Sequence, residues 1–350
     1  MKKLALLISV FLSLNGISQI GGTRAYQFLG IPMTARAAAL GGSSMSIWGD
    51  DVNLIYSNPS LLNPSMSKQV ALNYCSYVGD LNFGYAAYAQ NIKKAGTVAG
   101  SIQFFSYGNF VGYDELGQKT NDFKANDYSI NLNYAKPLAD STFNIGIALK
   151  TIISQYDMYK SFGNAVDFGI TYHNKKNFTA SLLVLNIGGM YKNYTGGAAD
   201  PLPRTVQLGA SYKPTKAPFR VFFVYDQLLK WNLNYISPVD TTGQSSTLGS
   251  TDVPKDSTGF QKFSKRFGNG LDNFMRHFTF GTEILLSKNF NLRVAYNYRR
   301  QREMTLPDRR GFSGLSFGFG LRIKRFAFAY SYSKMAFPGS SNIFSITLHL

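Results

Sequence analysis

The residue types that carry out reactions are few and scattered in this chain. His173, His277 and His349 fall in three separate segments, and none has a carboxylate, a cysteine or a second histidine at ligand or triad spacing. Neither a nucleophile elbow, a zinc-protease motif nor a phosphate-binding loop is present. Cys75 is the only cysteine, so it has no internal disulfide partner and no companions for a thiolate metal site. The expectation is a protein that is not an enzyme and uses no cofactor. What remains is charge and aromatic chemistry. Glu283 and Asp167 lie on the small, polar faces of alternating segments, with Arg36 and Arg293 as candidate partners. Arg299, Arg300, Arg302, Arg309 and Arg310 bracket residues 303–310, and guanidinium groups grip phosphates through paired hydrogen bonds. That cluster is expected to contact an anionic lipid or an acidic partner loop. In a polar insertion at 227–273, Phe260, Phe263 and Phe267 interleave with Lys265 and Arg266, the pattern of a segment that docks a partner.

These side chains must be held by strands. Residues 342–350 alternate, with Phe344, Ile346, Leu348 and Leu350 on one face and Ser345, Thr347 and His349 on the other. The same period of two recurs in about fourteen segments, near 69–77, 82–90, 96–106, 126–136, 142–153, 164–173, 177–187, 203–213, 218–226, 275–287, 289–300, 312–323, 325–334 and 342–350. In 126–134, Tyr128, Ile130, Leu132 and Tyr134 oppose Asp127, Ser129, Asn131 and Asn133. Segment 177–187 is oily on both faces around Leu182 to Leu185. Short basic connections at Lys93-Lys94, Lys175-Lys176, 213–216, Lys288 and Lys324-Arg325 alternate with longer ones at 107–125, 154–163, 188–201, 227–273, 303–310 and 335–341. Loops sorted by length in this way predict an all-β, transmembrane antiparallel barrel, its short turns periplasmic and its long loops outside. Tyr74, Tyr77, Tyr296, Tyr298, Tyr330 and Tyr332 are placed for an interfacial girdle.

The bulk numbers agree. Of 350 residues, 22 are Tyr, 28 are Phe and only 16% are charged, while mean hydropathy is −0.11. A barrel reads as middling because half of each strand faces a wet or polar interior. Residues 1–18 read as a signal peptide: Lys2 and Lys3, an apolar run from Leu4 to Leu14, then small residues before Gln19. The net charge of +17 does not gather on an aromatic platform or a helix, which argues against nucleic acid and for a polyanionic membrane surface.

Residues 19–68 form a separate zone, expected to fold into the barrel mouth as a plug. Thr34 caps a short alanine-rich helix from Ala35 to Leu40, which Gly41-Gly42 stops. Asp50-Asp51 cap a second turn running to Tyr56, and Asn58-Pro59 open a third. The run from Tyr26 through Ala35-Arg36-Ala37-Ala38-Ala39-Leu40-Gly41-Gly42, followed by Asp50 and by Tyr56-Ser57-Asn58-Pro59, resembles the start of the PorV/PorQ family of the type IX secretion system. That family is related to the fourteen-strand FadL-like barrels. Chain length and the close spacing of the alanine block favour its shorter, PorQ-like branch. The resemblance implies an outer-membrane, non-enzymatic component that anchors a surface partner (PorZ, with PorU and PorV) in a complex attaching secreted cargo to lipopolysaccharide. The other function compatible with a FadL-like barrel is transport of hydrophobic small molecules.

Overall fold

A computed structural model of the chain describes residues 24–77, 79–138, 142–174, 177–195, 199–233, 270–304, 312–335 and 339–350. The expected signal peptide, Phe260, Phe263, Lys265, Arg266, Phe267, Arg309 and Arg310 lie outside the described residues.

Fourteen antiparallel strands close on themselves. They are β1 Gln69–Ser76, β2 Asn82–Ile92, β3 Gly96–Phe110, β4 Phe123–Leu138, β5 Phe143–Tyr156, β6 Tyr159–His173 and β7 Phe178–Lys192. The remainder are β8 Thr205–Tyr212, β9 Phe219–Tyr225, β10 Phe278–Ile284, β11 Phe290–Asn297, β12 Leu315–Ile323, β13 Phe326–Ser333 and β14 Ser341–His349. Every strand pairs with its neighbour in sequence, and β1 with β14 from Gln69↔His349 to Ser76↔Asn342. Closure leaves no edge, which a lipid-facing sheet requires because hydrocarbon offers backbone groups no partner.

Alternation sets the two faces. Leu72, Ile130, Leu132, Phe223, Val294, Phe344 and Ile346 are exposed on the outside, whereas their neighbours Asn73, Asn131, Asn133, Arg293, Ser345 and Thr347 are buried. A belt of large exposed apolar side chains around a closed sheet, with polar residues inside, is the surface of a membrane-spanning barrel. No helix among the described residues is long and apolar enough to cross a membrane. Segment 178–192 shows why both of its faces looked oily. Leu182 is 41% exposed while Leu183 is fully buried against the interior. A bulge at Asn186, whose φ is 57°, then shifts the register between Val166 and Phe168.

The wall is uneven in height. β3 to β7 run 14–16 residues, β8 to β11 only 7–8. At about 3.4 Å per residue and a tilt of roughly 40°, a 15-residue strand stands about 40 Å tall, against an apolar band of about 25 Å. The β3–β7 side therefore rises beyond the band at the long-loop end. This corrects two expectations. The connection expected at 154–163 contracts to a turn at Asp157-Met158, and that at 107–125 to residues 111–122, because the strands continue past the membrane. Strand 289–300 is also shorter than expected: it ends at Asn297, whose side chain accepts from the Arg300 backbone N–H and caps a helix instead.

Residues 25–66 lie inside the ring as a chain of short helical turns. After a 3₁₀ turn at Gln27–Gly30, the helix Ala35–Ala39 (α1) is capped by Thr34 and packs on β12 and β13. Gly42 at φ 125° and Gly41 at φ 78° terminate it, with their N–H groups donating to Ala37 and Ala38. Asp51, Asn58 and Asn63 cap the three 3₁₀ turns that follow. Their apolar side chains, Met33, Leu40, Met45, Ile47, Leu54 and Leu61, fill the lumen together with inward Phe83, Tyr85 and Phe105. The interior is thus small and polar on most strands, as expected, but oily where the inserted segment and these aromatics meet.

Candidate functional site

Two clusters of side chains join the inserted segment to the wall and to the outer loops. The first is centred on Glu283. Register places Arg220 of β9 and Arg293 of β11 directly opposite Glu283 of β10, and all three side chains point inward. Arg293 Nε donates to Oε1 at 3.0 Å and Arg220 Nη1 to Oε2 at 2.6 Å. Arg36, projecting from α1, completes the set: its Nη2 donates to both carboxylate oxygens, at 2.9 and 3.2 Å, and its Nε to Oε1 at 3.1 Å. Its third nitrogen donates to Asp51 at 3.2 Å. A fully buried carboxylate therefore holds three guanidinium groups, one of them from the inserted segment. Burial works against the charge on Arg36, but Glu283 and Asp51 outweigh it and hold the guanidinium more firmly protonated than usual. A second tie runs from Asp50 to Arg322 at 2.8 Å. Burial would raise the Asp50 pKa, yet the hydrogen bond and charge of Arg322 lower it.

Arg36 and Arg293 were the partners read from sequence for both inward carboxylates; both serve Glu283. Asp167 instead takes Lys150 at 2.6 Å, with the Asn186 backbone N–H donating to its other oxygen. Lys150 and Arg220 were missed, although strand parity alone turns Lys150 inward opposite Ile147 and Leu149.

The remaining motif residues are buried contacts. Asn58 Nδ2 donates to the Met45 carbonyl and to Thr171 of β6. Pro59 and Ser60 pass so close to β5 that a Cβ on Gly146 would sit 2.3 Å from the Ser60 nitrogen. Gly318, one of the glycine pair on β12, likewise clears space for Ala39 of α1.

The second cluster is at the mouth on the long-loop end. Residues 270–275 form a helical turn (α2), and Tyr298–Glu303 form α3. Asp272 of α2 accepts from Arg276 at 2.8 Å, Tyr298 at 2.7 Å and Arg302 at 2.9 Å. Burial would raise the Asp272 pKa, but the Tyr298 and Arg276 hydrogen bonds and the two arginine charges hold it below the usual carboxylate range. Asn273 donates to the Trp231 carbonyl and accepts from the Leu233 N–H, so both ends of the long insertion are pinned to one point. Arg299 pairs with Asp226 at 3.6 Å and Glu303 at 3.8 Å. Arg300 turns inward, donating to the Gly41 carbonyl at 3.3 Å and to Ser316 at 3.2 Å. Arg299, Arg300 and Arg302 sit together on one helix, where the alternation had placed Arg299 and Arg300 at the end of a strand. Each is already engaged with the protein, and Arg300 links the plug motif to the rim. The girdle expectation needs a parallel correction. Tyr77 faces inward against Phe83, and Tyr298 lies on α3 rather than on a strand.

Between α3 and the inserted segment is a cavity of about 350 Å³. Ile31, Tyr77, Phe83, Phe105, Met304 and Met335 give it apolar walls, and Arg299, Arg300 and Glu303 give it a charged side. Among the described residues, no group of three His, Cys, Asp or Glu side chains is placed to hold a metal.

A closed, internally filled barrel with an apolar outer belt and a helical rim is an outer-membrane-type β-barrel. The chain belongs to the family of type IX secretion system protein PorV, whose model matches residues 18–216. No curated protein matches it in sequence. Among solved structures it is similar to the Ralstonia pickettii toluene transporter TbuX, with 10% identity over 92% of this chain and 100% of that one, at a TM-score of 0.52. The CymD monoaromatic hydrocarbon channel is similar too, with 13% identity, coverage of 93% and 99%, and a TM-score of 0.51. So is the Pseudomonas putida toluene transporter TodX, with 12% identity, coverage of 91% and 96%, and a TM-score of 0.50. At these identities the likeness is one of fold.

Proposed function

We propose that this barrel is an exported, non-enzymatic outer-membrane component of the type IX secretion machinery that anchors a surface partner. Within the PorV family, chain length and the compact alanine block favour the PorQ-like branch. A PorZ-like partner, working with PorU and PorV in attachment of cargo to lipopolysaccharide, is the reading that the resemblance supports. The observation that carries it is the outer rim: Asp272, Arg276, Tyr298, Arg302 and Asn273 clamp the two ends of the long insertion against α3. Insertions of that length in a compact fold are commonly functional. Phe260, Phe263, Lys265, Arg266 and Phe267, in the second half of this one, are the proposed partner contacts. Arg302, with Arg309 and Arg310, is the proposed contact to lipopolysaccharide or an acidic loop, while Arg299 and Arg300 brace the rim.

Removing residues 258–268 spares α2 and its anchors. The tagged deletion protein, purified from outer membranes in mild detergent, is expected to lose its surface partner while keeping a heat-stable barrel. An intact complex after deletion would remove the docking role. The second reading is a channel for hydrophobic small molecules, and the apolar-walled cavity at the outer mouth favours it. Its signature in the same preparation is a co-purified apolar ligand with no bound protein.

A further inference from the structure

The two ends of the barrel differ in charge. At the end carrying the short turns, Lys93 and Lys94 follow β2, Lys216 lies between β8 and β9, Lys288 between β10 and β11, and Lys324-Arg325 between β12 and β13. All six side chains are exposed, and none makes an ion pair with a described residue. Exposed Lys68 and Lys136 extend the same ring. The described residues of these turns include no carboxylate. Asp50, Asp51 and Glu283, the described acids nearest this end, are paired with Arg322, Arg36, Arg220 and Arg293. Exposed acids such as Asp80, Asp114, Glu115, Asp122 and Asp157 sit at the opposite end.

Each basic turn also abuts exposed apolar side chains. Ile92 precedes Lys93, Phe219 follows Lys216, Leu286 precedes Lys288, and Ile323 and Phe326 flank Lys324-Arg325. Hydrocarbon contact and cation are therefore stacked one turn apart, on at least four separated parts of the circumference. Lysine stems extend along apolar surface while the ammonium stays in water.

We propose that this ring is a binding surface for anionic phospholipid headgroups of the leaflet at the short-turn end. Its distribution selects the partner. A protein would cover one sector, whereas a leaflet surrounds the barrel and meets every turn at the same depth. Cations close to an anionic membrane surface are attracted to it, and the attraction is screened by salt. The inference rests on the membrane-spanning reading and is independent of the anchoring role.

The test uses the full mature chain in phosphatidylcholine bilayers, with spin-labelled phosphatidylglycerol and spin-labelled phosphatidylcholine as probes of the lipid shell. The wild type is expected to prefer phosphatidylglycerol by about fivefold or more at low salt, with the preference falling towards unity in about 1 M salt. Joint replacement of Lys68, Lys93, Lys94, Lys136, Lys216, Lys288, Lys324 and Arg325 by Gln is expected to abolish it. Replacement of Lys119, Lys124, Lys160 and Lys192 at the other end is expected to leave it in place. Equal association of both lipids with the bilayer-inserted wild type overturns the inference without touching the barrel itself. So does a preference that survives the first replacement, or one lost only on the second. A ring serving an acidic periplasmic protein gives the first of these outcomes.

Discussion

Glu283 is the residue on which most of the interior charge converges. Its side chain is 1% exposed and faces Arg36, Arg220 and Arg293. Removing one member of a buried ion pair costs about 3–5 kcal/mol, because the remaining charge is left desolvated and unmatched. Glu283→Ala leaves Arg220 and Arg293 without their carboxylate and Arg36 with Asp51 alone, so the temperature at which the folded electrophoretic form disappears should fall sharply. Arg36→Ala should shift it less, since Arg220 and Arg293 still neutralise the carboxylate, but it should free the segment around α1 to proteolysis. Equal shifts for the two variants would show that the segment, not the wall, depends on Glu283. Parity made Glu283 and Arg293 legible as inward residues. The pairing was not, because it depends on register, and a one-residue slip of β9 would turn Arg220 to the outside.

The elements that tie the outer loops together are α2 and α3. Asp272 contributes its part only while ionised. Its folded-state pKa lies below the unfolded value, so its stabilisation is complete above the ordinary carboxylate range and is lost as pH falls through the folded value. Amide hydrogen exchange at 270–276 should therefore be slow near neutral pH and faster in strong acid. Asp272→Asn should make it fast at both. A loop that stays protected in the Asn variant would mean that Asn273 and Phe274 carry the anchor alone. Phe274 does pack on Tyr225, Trp231 and Phe278. Neither short helix announced itself within the strand pattern. Tyr298 and Arg299 continue the alternation of β11 closely enough for 289–300 to read as strand, and the Asn297 cap diverts the chain into α3.

At the scale of the whole molecule, stability rests on closure. β14 pairs with β1 on one side and β13 on the other. Deleting residues 341–350 would expose two unpaired edges in a medium that offers them no hydrogen bonds. The truncated chain is expected to give no heat-modifiable barrel and to aggregate when refolded into detergent. A folded truncation would mean that the inserted segment can hold an open sheet. The uneven wall belongs to this scale too. β3 to β7 extend past the apolar band at the end where α2 and α3 lie, so that end presents a raised side next to a helical platform.

Strand number, the identity of the outward faces and the Thr34, Asp51 and Asn58 caps of the inserted turns were present in the order of residues. Each is local: a period of two, a Pro after Asn, a Gly after alanines. The tertiary structure alone decided which charges meet, where α1 docks and how far the strands continue. Those outcomes depend on register around a closed ring and on contacts between residues up to 310 positions apart, such as the Ala35 N–H and the Ser345 hydroxyl. No local pattern encodes a distance of that kind.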